Sequence, residues 1–99
     1  MAGETLKTII VPIASGVALT TANIPILAAN LTRRGVSFHN RSSSLTVEIA
    51  IQPTVAGAVG SIIILPGAWL DFTDAKRANC GFNGHMVSGS GDITILEWI

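Results

Sequence analysis

Apolar and polar residues alternate along much of this chain, most clearly in residues 24–51, IPILAANLTRRGVSFHNRSSSLTVEIAI. Val36 and Phe38 alternate with Ser37 and His39, the two-residue period of a strand with one buried face. Leu45, Val47, Ile49 and Ile51 alternate in the same way with Thr46, Glu48 and Ala50. A helix would spread those apolar residues around its circumference. Residues 30–35 and 40–44 carry the polar and glycine residues of turns. The stretch therefore predicts strand, turn, strand, turn, strand in antiparallel order. Parallel pairing would need a crossover of about a dozen residues, and neither break is that long.

The flanking segments read similarly. Residues 1–7 form a polar lead and residues 8–99 a single β domain. Residues 8–13 predict a first strand near an edge, because Pro12 lacks a donor. Residues 17–19 resume a strand, and residues 24–29 form the next, with Pro25 near its start. Residues 62–65 are apolar on both faces, which predicts a strand covered by the core on one side and a neighbouring subunit on the other. Leu70 and Phe72 share an inward face, while Trp69 and Asp71 share the outward one. Residues 73–79 allow one helical turn. Residues 80–87 are weakly strand-like, and residues 88–91 form a hairpin-like break.

In the final strand, Ile93, Ile95, Ile99 and Glu97 lie on one face and Thr94, Leu96 and Trp98 on the other. Exposing Trp98 and Ile99 would forgo about 1.5–3 kcal/mol for each side chain, so both are expected in a core or an interface. About seven or eight such strands predict an all-β fold, a small antiparallel β-sandwich or jelly-roll-like barrel.

Composition adds a constraint on the surface. The chain has 99 residues, 48% of them hydrophobic, but only 12% charged, about half the usual share. So few charges predict that part of the surface is buried against other copies. The formal net charge is zero. Arg33, Arg34 and Arg41 fall near two turns and make no phosphate-tracking stripe, so no nucleic-acid partner is expected. Charge-free windows at residues 8–32 and 49–70 are long enough to cross a bilayer, but Pro12, Pro25, Pro53 and Pro66 interrupt them, and no membrane partner is expected. No secretory signal pattern opens the chain.

Candidate chemistry is sparse. Cys80 stands alone, which excludes an internal disulfide and a cysteine-only metal site. A hydrolase would need a nucleophile, a base and an orienter. Cys80 or a serine, His39 or His85, and Asp71 or Asp92 could supply them, yet no motif links these residues. Asp71 and Asp74 are close in sequence but read as solvating a surface break. His39, His85 and Cys80 match no metal-ligand spacing. The chain reads as non-enzymatic, with no metal and no cofactor.

Residues 26–40, ILAANLTRRGVSFHN, place a basic pair between a strand ending in Ala-Ala-Asn and a strand ending in Asn. Residues 66–72, PGAWLDF, follow a turn with an aromatic and acidic strand, and a glycine-serine break leads to Leu96 and Glu97. This succession resembles small virion-associated proteins of tailed bacteriophages and prophages. The resemblance implies a capsid decoration or cement protein, or a tail or fibre component. It implies residence in the virion, host cytoplasm during assembly, and no catalytic residue.

The expected partners are further copies of the chain, as a homotrimer, and the major capsid protein or another virion component. Trp69, Trp98 and Leu96 are the expected apolar contacts, with Arg33, Arg34 and Arg41 orienting the partner. The alternative is a β module binding carbohydrate or a host surface. It requires an exposed aromatic face beside polar groups, which Trp69 with Asp71, or His85 with Asn83, could supply.

Overall fold

The structure, a computed structural model, describes residues 13–99. It contains β1 (Ile13–Leu19), β2 (Ile24–Leu27), β3 (Gly35–Asn40), β4 (Val47–Ile51), β5 (Ile62–Ile64), β6 (Trp69–Phe72), the one-turn helix α1 (Ala75–Ala78), β7 (Phe82–Met86) and β8 (Gly91–Trp98). The strands form two four-stranded sheets, ordered β1-β8-β3-β6 and β2-β7-β4-β5. Every pairing is antiparallel. The expected all-β sandwich is present.

The pairing is nested. β1 lies beside β8, β2 beside β7, β3 beside β6, and β4 beside β5. A long hairpin has in effect been rolled up so that its arms alternate between two layers, the jelly-roll arrangement. This corrects the run of neighbouring antiparallel strands expected in residues 24–51. β2, β3 and β4 do lie there, but β2 and β4 belong to one sheet and β3 to the other. The breaks between them carry the chain across the sandwich. Residues 88–91 likewise connect β7 in one sheet to β8 in the other, so they are not a hairpin. A two-residue period fixes which face is buried but does not name the neighbouring strand. Of the strand expected at residues 8–13, only Ile13 lies within the described residues, and it opens β1.

The core lies between the inner faces. Val36, Phe38, Ile93 and Ile95 enter it from one sheet, and Val47, Ile49, Phe82 and Met86 from the other. The three phenylalanines of the chain meet there. Phe38 packs edge-on against Phe82, with centroids 4.9 Å apart, and against Phe72 at 6.3 Å. Such aromatic contacts add about 0.5–1.5 kcal/mol per pair beyond burial. α1 closes this end of the sandwich. Asp74 caps it by accepting the Arg77 backbone N–H, while the Arg77 guanidinium lies 5.5 Å from the Phe72 ring centroid.

Arg33 corrects the expectation of a contact residue. It is 2% exposed. Its Nε donates to Glu97 at 2.9 Å, and its other nitrogens donate to the carbonyls of Ala28, Ala78 and Cys80. The cause lies in β8. Glu97 occupies an inward register position, opposite buried Val36, and a half-buried carboxylate needs a cation.

For residues 62–65, the single chain supplies the core side of the expected double cover. β5 is the edge strand of its sheet, and Ile64 faces the core. Ile63 and Leu65, on the side expected to meet a neighbouring subunit, are each 61% exposed among the described residues. At the last strand, Trp98 is half-buried but Ile99 remains 43% exposed.

Candidate functional site

The outer face of the β1-β8-β3-β6 sheet gathers three of the six expected contact side chains. Its composition follows from register. Gly35 pairs with Trp98 across β3 and β8. The indole lies close over this glycine: a Cβ on Gly35 would sit in ordinary van der Waals contact, 3.7 Å from Trp98 Cε3 and 3.4 Å from the Phe72 carbonyl oxygen. The next row contains Asp71, Ser37, Leu96 and Ala14. Here the Ser37 hydroxyl donates to an Asp71 carboxylate oxygen, which turns the acid toward β3. The third row contains Trp69, His39, Thr94 and Gly16. The His39 and Trp69 rings stack with centroids 4.3 Å apart and planes within 11°. Trp69 is 50% exposed.

Two aromatic platforms thus stand at the ends of a middle row that carries the Ser37–Asp71 pair. Four residues of β3 separate their rows, about 13 Å along the strand. At the Trp98 end the face sinks into an open groove of about 450 Å³, lined by Arg34, Gly35, Ser37, Asp71, Phe72, Thr73 and Trp98. Arg34 stands exposed at its rim, held in place by its backbone N–H, which donates to the Trp98 carbonyl at 2.6 Å. Arg41 continues the outward register just beyond β3, where its backbone N–H donates to the Asp92 carbonyl. Trp69, Trp98 and Leu96 therefore share one face, Arg34 and Arg41 stand at its two ends, and Arg33 is inside the molecule.

His85 with Asn83 offers no comparable surface. His85 Nε2 lies 2.7 Å from Glu48 Oε1, and its Nδ1 lies 3.1 Å from the Thr21 carbonyl. Gly57 packs over this imidazole: a Cβ there would come within 2.8 Å of His85 Cε1. Asn83 is buried, donates to the Thr54 carbonyl and accepts from Gln52. Residues 52–61 thus fold across that part of the second sheet, and the pair serves as internal bonding. Among the described residues, no three of His, Cys, Asp and Glu are grouped to hold a metal, and no helix is long and apolar enough to cross a membrane.

Sequence reasoning passed over Ser37, Gly35 and Thr73 as site residues. For Ser37 a signal existed, since it shares outward parity with His39 and lies between two buried neighbours. The groove itself forms from strands distant in sequence and left no local trace.

No protein-family model and no curated protein matches the chain. Among solved structures it is similar to a de novo designed double-stranded β-helix, with a TM-score of 0.59 and 11% identity over 86% of this chain and 97% of that one. It also matches a structure described as Bacillus endospore appendages that form disulfide-linked pili, with a TM-score of 0.48 and 12% identity over 91% of this chain and 86% of that one. At these identities the first similarity speaks to the fold alone, and the second carries no argument.

Proposed function

We propose that this chain is a non-enzymatic binding module whose working surface is the outer face of the β1-β8-β3-β6 sheet, and that it takes a carbohydrate of a host or cell surface. One observation carries the reading: on one outer face the stacked His39–Trp69 pair and half-buried Trp98 flank exposed Asp71, which buried Ser37 holds from below. A pyranose ring has an apolar C–H face and an equatorial rim of hydroxyls. The indole faces suit the former. The Asp71 carboxylate accepts from the latter, and Arg34 and Thr73 supply donors at the rim. Asp71 is the sole carboxylate among the groove residues, whereas hydrolysis of a glycosidic bond uses two flanking acids.

A glycan array with the labelled protein, followed by calorimetry on the best hits, tests the reading. Trp98→Ala and Asp71→Asn should each weaken binding at least tenfold while leaving the melting temperature within a few degrees. Absence of binding across neutral and acidic glycans would overturn it.

A second reading is a virion component, either a capsid decoration protein seated on a major capsid protein or a tail or fibre part. The low charge of the chain and the exposed apolar residues Ile63, Leu65 and Val59 favour it. Cosedimentation with capsids, unaffected by Asp71→Asn, would select this reading over the first.

A further inference from the structure

We propose that β5, an edge strand of the second sheet with no outer neighbour among the described residues, docks antiparallel against β5 of a second copy of this chain, with Ile63 and Leu65 at the centre of the contact. This is independent of the carbohydrate reading, because it uses the opposite sheet.

The four sheet edges differ in what they present. β2 carries Pro25, which lacks a donor, and β6 carries Asp71, a charge that discourages pairing. β1 turns Ala14, Gly16 and Ala18 outward, which offer little apolar area, and exposes a large apolar side chain, Ile13, at its start. β5 carries neither proline nor charge; it exposes Ile63, and Leu65 just after it is exposed as well. Register extends this apolar surface inward. Leu65 falls in the row of Thr46 and Val87, and Val87 is 53% exposed. The adjoining row contains Ile63, Glu48 and His85. Glu48 is the acid of that row, and His85 already bonds it within the chain. The loop leading into β5 adds Val55 and Val59, both exposed.

The occupant follows from charge and symmetry. Residues 49–70 contain no charged side chain, so a charged partner would find nothing there to pair with. Two copies meet without repulsion. An antiparallel edge is complementary to itself about a twofold axis, which places Ile63 near the axis and continues the sheet across the pair. Three residues make too few main-chain bonds to hold two chains together, so burial of Ile63, Leu65 and their neighbours must supply most of the affinity.

Sedimentation velocity and light scattering from micromolar to millimolar protein test this directly. The wild-type chain should form a dimer, and Ile63→Lys and Leu65→Glu should each weaken it at least tenfold. Far-UV circular dichroism and a melting curve establish that these variants fold. Should the charged variants fail to fold, Ile63→Thr and Leu65→Thr, which keep or tolerate strand geometry, should still weaken the dimer. A wild-type monomer at every concentration, a trimer, or folded variants that dimerise like the wild type would overturn the proposal. Dimer loss through Trp98→Ala rather than Ile63→Lys would do the same, by placing the contact on the other sheet. The affinity of one site for a monovalent glycan should be equal in the wild type and Ile63→Lys, so the two readings fail separately.

Discussion

Arg33 ties together three segments that share no strand. Its guanidinium reaches the carbonyls of Ala28, Ala78 and Cys80 as well as the Glu97 carboxylate. Arg33→Ala should cost about 3–5 kcal/mol in denaturant unfolding, because Glu97 and the carbonyls lose their partner in a mostly dry site. Arg33→Lys should recover part of that, since an ammonium keeps the charge but not the planar fork of donors. The sequence hid this role, because an arginine beside a turn looks the same whether solvated or buried. The legible signal was Glu97, an acid sharing a strand face with Ile93 and Ile95. An inward acid requires an inward cation, and Arg33, Arg34 and Arg41 were the nearest candidates in kind.

Gly57 offers a second test at the same scale. Its φ of +94° disfavours any side chain, and a methyl would press on the His85 ring. Gly57→Ala should destabilise by about 1–3 kcal/mol. In the His85→Ala background the same change should cost less, because the clash is gone while the backbone strain remains. A double-mutant cycle reads the difference.

At the scale of elements, α1 depends on its cap. Desolvation pushes the Asp74 carboxyl up, but hydrogen bonds from the Arg77 backbone and side chain and the Arg77 charge together hold it below the usual 3.8. A lowered folded value means that the cap contributes fully above the ordinary carboxylate range. That contribution fades as pH falls through the lowered folded value. Asp74→Asn should remove this acid-side slope from the stability profile and leave neutral-pH stability nearly unchanged, since the site is exposed. The strands themselves were largely legible. Alternation marked β3, β4, β6 and β8 because each has one face in the core. For β5 the pattern left the place in the sheet open, because an edge strand with apolar residues on both sides reads like a buried central strand. Strand partners were not legible, since hydrophobic alternation is silent about which strand lies alongside.

Across the whole molecule, the two sheets present different surfaces. One outer face offers aromatic rings with a carboxylate between them, and the other an uncharged apolar edge. If both readings hold, joining two copies doubles the number of carbohydrate sites on one particle. A shallow site then gains avidity without any new contact, provided the geometry lets both sites engage together. On a dense glycan surface, Ile63→Lys should therefore release faster than the wild type by surface plasmon resonance, although its single-site affinity is intact.

The position of β8 bears on how the protein is made. It lies between β1 and β3, with Ile13 of the first strand opposite Glu97 of the last. On the ribosome, β1 and β3 therefore wait for a strand that has not yet been translated. Completion of that sheet is postponed until residues 91–98 have left the exit tunnel, and nascent chains arrested before that point should be digested by protease where the released protein resists.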